Sequence, residues 1–160
     1  MQQNKPLSLM DELNIGAQIG VAFCKDGSSS RQVENILIAL ESVEGRESLL
    51  IVAAFAHRQA QRTKTLGFSA KLIGDAMLKI YNSGGGKEDA RIVLGVAKWV
   101  FEALGGKDES KGGKNTKTCE KAGKLLEQLQ KGPGITLEEV IRHLSSLNSQ
   151  QQTQLRGPSS

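Results

Sequence analysis

Ala90-Arg91-Ile92-Val93-Leu94-Gly95-Val96-Ala97-Lys98-Trp99-Val100-Phe101-Glu102-Ala103-Leu104 carries the clearest period in the chain. Wound at 3.6 residues per turn, Ala90, Val93, Leu94, Ala97, Val100, Phe101 and Leu104 fall on one stripe. Arg91, Lys98 and Glu102 fall on the other side. This is an amphipathic helix with one face for a core and one for water, and Gly105-Gly106 stops it.

The same period returns on both sides of this stretch. Ser8 can cap a first helix with Leu9, Met10, Leu13, Ala17 and Val21 in its apolar stripe. Gly16 and Gly20 lie inside it. Two glycines four apart permit close helix approach, but the plainer reading is a slightly weak helix, since each costs about 1 kcal/mol against Ala. Lys25-Asp26-Gly27-Ser28-Ser29 reads as a turn. A second helix starts near Ser30, with Val33, Ile36, Leu37, Leu40 and Val43 on one face, and Glu44-Gly45 closes it. The third runs from about Arg46 to Leu66, with Leu49, Leu50, Val52, Ala53, Ala56 and Ala60 as a small-residue face and Gly67 as its stop. The fourth follows at once, with Leu72, Ile73, Ala76, Met77 and Ile80 on one side. Gly84-Gly85-Gly86 reads as a flexible connection to the fifth helix. It is not a phosphate loop, because no Gly-Lys-Ser/Thr follows at the right spacing.

Beyond Leu104 the pattern thins. Residues 105–115 form a Gly/Lys loop without an apolar side chain, expected to be flexible. Over 116–147 a sixth helix takes Cys119, Ala122, Leu126 and Leu129, and Gly132-Pro133-Gly134 breaks the chain. Thr136 and Glu139 then match a capping box for a seventh helix through Leu137, Val140, Ile141, Leu144 and Leu147. The Gln/Ser-rich tail, 148–160, is expected to be disordered. No alternating strand pattern occurs. The expected fold is all-α: a bundle of about five core helices over 1–104, with two shorter C-terminal helices.

Composition sets the functional bounds. The chain has 160 residues, 21 basic and 17 acidic side chains, and only 4% aromatics. A chain of this length can bury a core without a disulfide or a metal. Cys24 and Cys119 lie far apart and read as buried small hydrophobes in a reducing compartment. Residues 1–6 are polar and lack the apolar region of a signal peptide, and no apolar run suits a membrane span. The expectation is a soluble cytoplasmic protein. His57 and His143 have no Cys, Asp or Glu at catalytic or metal spacing, so no enzyme activity, metal or cofactor is expected.

Ala56-His57-Arg58-Gln59-Ala60-Gln61-Arg62-Thr63-Lys64-Thr65 is the functionally informative stretch. It holds three fixed positive charges and no carboxylate. Arg58, Gln61, Arg62 and Thr65 are spaced to share one helical face. Arginines one turn apart can follow neighbouring phosphates, while Gln and Thr bond phosphate or sugar oxygens. Lys71 extends the strip, and Arg91 and Lys98 supply a second basic pair. The candidate nucleic-acid-binding residues are thus Arg58, Arg62, Lys64, Lys71, Arg91 and Lys98. The opposing reading is an ordinary solvated helix face. Lys107, Lys111, Lys114 and Lys117 add either a flexible basic arm or only a soluble linker.

The helix from Leu50 to Arg62, the helix from Ser69 to Tyr81 and the long helix from Lys87 to Leu104 together resemble the small helical subunit of class 1 CRISPR effector complexes, Cascade- and Csm-like and closest to the type I-D form. The resemblance spans the middle of the chain and is one of helices and charge, not of a diagnostic motif. It implies a non-catalytic antiviral-defence subunit, stacked as copies of itself among the other subunits of a ribonucleoprotein complex. CRISPR RNA and target DNA or RNA would then be its partners, with no membrane involved. Basic side chains would hold the guide–target duplex or a displaced strand, with Arg58, Arg62, Lys64 and Lys71 first and Arg91 and Lys98 after them. The loop from Gly105 and the polar tail do not match that family. Two other readings stay open: a protein-interaction adaptor using helix five or the Ala53, Ala56 and Ala60 face, and a small DNA-binding regulator built on a helix-turn-helix.

Overall fold

Four helices start where a side-chain oxygen meets N–H groups that have no partner of their own. Ser8 Oγ accepts from Asp11 N at 3.1 Å and Asp11 accepts from Ser8 N. Ser29 and Gln32 repeat this reciprocal box. Asp89 Oδ2 accepts from Gly86 N at 2.9 Å, and Thr136 Oγ1 from Glu139 N at 3.1 Å. The Glu139 carboxylate does not close its box; it accepts from Gln128 Nε2 instead.

The computed structural model describes residues 5–106, 119–131 and 134–156. These form α1 (Leu9–Asp26), α2 (Ser30–Glu41), α3 (Ser48–Arg62), α4 (Gly67–Asn82), α5 (Lys87–Ala103), α6 (Lys124–Lys131) and α7 (Leu137–Arg156). A single 3-10 turn, Lys64–Leu66, joins α3 to α4. Among the described residues every regular element is a helix, so the fold is all-α. Lys107, Lys111, Lys114 and Lys117 lie outside the described residues.

α1 is the central helix and packs against α4, α5, α6 and α7. α5 runs parallel to it, and the two come together through glycine. A Cβ on Gly16 would stand 2.5 Å from the Val93 carbonyl oxygen, and one on Gly20 2.7 Å from that of Ala97. The plainer reading of these glycines, a weak helix, is therefore corrected: they let α1 touch the α5 backbone. Phe23 and Phe101 meet edge to face further along, with centroids 5.9 Å apart.

Other expectations are also revised. The break after α3 comes at Thr63, whose backbone is extended, and Gly67 opens α4 rather than ending α3. Gly84-Gly85-Gly86 is not loose. Arg46 donates to Gly85 O at 2.8 Å and to Tyr81 O at 2.6 Å, and its guanidinium lies over the Tyr81 ring. It closes the carbonyl end of α4, where a cation is favoured. The C-terminal pair is not an appendage. Leu125, Leu129, Ile135 and Val140 are buried in the same core cluster as α1, and Asn14 accepts from Leu137 N at 3.0 Å. α7, at 20 residues, is the longest helix among the described residues and runs past Leu147 into the Gln-rich stretch, because Gln and Leu are good helix formers.

The largest correction concerns the cysteines. Cys24 and Cys119 are buried, as expected, but they are joined in a disulfide, with Cα atoms 5.5 Å apart. Two backbone bonds, Cys119 N to Gly105 O and Lys121 N to Leu104 O, fold this segment back on the end of α5. The disulfide itself joins residues separated by 95 positions. A stable disulfide is at odds with the reducing compartment first inferred.

Candidate nucleic-acid interface

The six candidate cations divide into two groups. Arg91 and Lys98 lie on the water face of α5, opposite α2, which runs antiparallel to it. Arg91 grips Glu41 with two hydrogen bonds, 2.7 and 3.0 Å, and Lys87 adds a third contact to Glu41 at 3.5 Å. Lys98 reaches Glu34 at 3.2 Å and Glu102 at 3.8 Å. The Arg91 guanidinium holds the Glu41 carboxyl down at about 2, so the pair is charged on both sides at neutral pH. These cations already have anions, and they tie α2 to α5.

Arg58, Arg62, Lys64 and Lys71 differ. All four are exposed, and none has an ion-pair partner among the described residues. They occupy the last turns of α3, the 3-10 turn and the first turns of α4, so they share one corner of the molecule. Neither α3 nor α4 has an acidic residue in its first turn. Asp75, one turn beyond Lys71, forms no ion pair with it.

One member of the expected strip is lost. Because α3 breaks at Thr63, Thr65 leaves the face of Arg58 and Arg62. Its hydroxyl turns inward and meets Gln32, accepting from Nε2 at 2.7 Å. Gln61 is exposed on α3 beside the two arginines.

The corner is rigid because the α1–α2 turn is bonded to it. Ser28 Oγ donates to Thr65 O at 2.5 Å. Asp26 accepts from Ser69 N at 2.7 Å, from Ser69 Oγ at 2.6 Å and from Phe68 N at 3.2 Å. The Asp26 carboxylate thus sits at the positive end of α4 and satisfies N–H groups that the helix leaves open. The sequence offered no local signal for this, since the partners are about forty positions apart (|i−j| of 42 and 43).

His143 Nε2 lies 2.6 Å from Lys121 O. His57 Nε2 packs where a Cβ on Gly74 would stand, 2.6 Å away. Among the described residues no group of three His, Cys, Asp or Glu side chains is placed to hold a metal, and no helix is long and apolar enough to cross a membrane. A cavity of about 140 Å³ opens between α1 and α4, lined by Ile15, Gln18, Leu72 and Asp75. That is below the roughly 300 Å³ at which pockets for cofactor-sized ligands begin.

Compared with known proteins, the chain matches no family model, no curated protein and no solved structure.

Proposed function

We propose that this protein is a non-catalytic helical subunit that holds nucleic acid by its phosphate backbone at the α3–α4 corner. The supporting observation is the contrast among its cations: Arg58, Arg62, Lys64 and Lys71 stand exposed without an anion, while Arg91 and Lys98 are matched by Glu41 and Glu34. Unmatched cations on a rigid corner gain from an external polyanion, whereas matched ones must first give up a partner. Arg91 and Lys98 are accordingly not placed in the binding set.

The narrower form of the proposal follows the resemblance: a small subunit of a CRISPR RNA-guided complex, touching guide–target duplex or displaced strand and bridging neighbouring subunits. Base pairing would then read sequence, and this subunit would need only charge and shape. A cytoplasmic place belongs to that form, and the Cys24–Cys119 disulfide weighs against it, since such bonds persist chiefly in oxidising compartments.

Tagged purification from the native host, with mass spectrometry of proteins and sequencing of bound RNA, tests the narrower form. Recovery with large subunits and guide RNAs supports it. Recovery alone, or with one unrelated protein and no nucleic acid, overturns it. In vitro, Arg58→Gln with Arg62→Gln should weaken binding to any sequence about equally and leave the fold intact.

The adaptor reading is supported by a different surface. Trp99 is 72% exposed, Ile38 64% and Ile92 36%, on the outer sides of α5 and α2. Aromatic side chains left in water are characteristic of protein contacts. The Ala53, Ala56 and Ala60 face is no longer part of this reading, because Ala56 is buried and the other two pack on the core. Partner capture abolished by Trp99→Ala and indifferent to Arg58 and Arg62 would favour the adaptor.

A further inference from the structure

The turn bonded beneath the basic corner is flanked by two further cations, one in the last turn of α1 and one in the first turn of α2. Lys25 is exposed, and its ammonium lies 4.2 Å above the centre of the Phe68 ring, the second residue of α4. A ring face holds a cation in place without neutralising it. Arg31 is exposed in the first turn of α2 and has no ion-pair partner among the described residues. Its neighbour Gln32 is the residue that bonds Thr65 and Thr63 in the corner.

Asp26, the carboxylate that follows Lys25, keeps its charge but is turned to the start of α4 and forms no ion pair with Lys25 or Arg31 among the described residues. Its two oxygens are occupied by Phe68 N, Ser69 N and Ser69 Oγ. α2 has no acidic residue in its first turn either. Arg31 therefore sits at the positive end of a helix, where an anion rather than a cation is favoured. A polyanion lying there would be attracted by the helix end and the guanidinium together.

We propose that Lys25 and Arg31 complete the nucleic-acid site, so that phosphates are held from two directions: by the α1–α2 turn and by Arg58, Arg62, Lys64 and Lys71 of the α3–α4 corner. The inference rests on the corner being a nucleic-acid interface. It adds a second segment of chain, about thirty residues away in sequence, locked to the first by the Ser28, Gln32 and Asp26 bonds. The ligand chemistry is a run of phosphodiesters, from a duplex or from a single strand.

Fluorescence anisotropy of the full-length, disulfide-bonded protein tests this, using a labelled duplex of about 20 base pairs and the corresponding single strand, titrated from roughly 50 to 200 mM salt. The variants are Lys25→Gln with Arg31→Gln, Arg31→Gln alone, and Arg58→Gln with Arg62→Gln. Loss of two phosphate contacts should flatten the slope of log affinity against log salt by roughly 1.8 on duplex, or about 1.4 on single strand, and lower affinity at least tenfold at low salt. Arg31→Gln removes no bond seen in the structure and should give half the change in slope, which separates lost contact from lost folding. An unchanged slope in both Arg31 variants, with binding weakened in Arg58→Gln/Arg62→Gln, would overturn the inference while leaving the corner as an interface. No binding by the wild type at the lowest salt would remove the interface itself. A slope change on only one of the two probes identifies the form of nucleic acid held.

Discussion

The α1–α5 side and the α3–α4 corner are built from similar helices and end in opposite conditions. On the first side packing and surface charge are matched, Glu12 Oε2 excepted. Gly16 and Gly20 admit the α5 backbone, Cys24 is bonded to Cys119, and the cations of α5 face the carboxylates of α2. On the second, packing is complete inside but the charges outside have no partner. A tally of basic residues ranks the two alike. What separates them is what the acid from another helix meets: α2 sets Glu41 and Glu34 against the cations of α5, whereas Asp26 of α1 meets the N–H groups at the start of α4.

If this division is right, changes on the first side should alter stability and leave binding alone. The largest effect should come from Cys24→Ser with Cys119→Ser. Opening a loop with a sequence separation of 95 should cost up to about 4.7 kcal/mol by the chain-entropy estimate, measured by denaturant unfolding against the oxidised wild type. Next is Gly20→Leu, which drives a side chain into Val100 and the Ala97 carbonyl. A loss of about 3 kcal/mol is expected, and a neutral result would mean that α1 and α5 do not cross there.

Glu12 gives the third test. It is 3% exposed, and its Oε2 has no hydrogen-bond partner. Burial first, then the neighbouring Asp89 and Asp11, push its carboxyl up to about 7. Asp89 is shifted the other way by its bond from Glu12 and by Gly86 N, so the pair shares one proton, carried by Glu12. The folded state therefore holds a proton that the unfolded state has already released between about pH 4.5 and 7. Stability should fall as pH rises through that window and level off above it. Glu12→Gln donates to Asp89 without needing a proton. It should abolish the slope and gain about 2 kcal/mol at pH 8, with little change at pH 4. A slope retained in the variant would place the titration elsewhere.

The smallest stability effects belong to the surface cations, and here binding makes the contrast. Arg58→Gln with Arg62→Gln should change stability by less than about 0.5 kcal/mol yet weaken nucleic-acid binding. Arg91→Gln with Lys98→Gln should leave binding near wild type while loosening α2, read as faster amide exchange over Ser30–Glu41. Equal loss of binding in the two double variants would erase the distinction between matched and unmatched charge.

Much of this organisation is legible in the residues themselves. The stripe from Ala90 to Leu104 and the one from Val33 to Leu40 bury as their spacing requires, and Ser8, Ser29 and Thr136 cap the helices they precede. The basic run from Arg58 to Lys64 also stands out, because missing carboxylates are visible in a sequence. Lys25 and Arg31 did not stand out. They flank a turn that reads as an ordinary connection, and the sequence does not show that Asp26 between them is directed to the start of α4 and not to either cation.

Sequence alone, then, determined the helices, most of their buried faces and the local excess of charge, because these depend on a period of 3.6 residues and on neighbours a turn away; Leu9, Met10, Leu50 and Ile141, put on apolar stripes by the same period, are exposed. Tertiary structure decided the rest. The Cys24–Cys119 bond, the approach at Gly16 and Gly20, the shared proton of Glu12 and Asp89, and the pairing of Arg91 with Glu41 all join groups many residues apart. No local pattern encodes which helix faces which, and a charge is matched or free according to what stands opposite it in space.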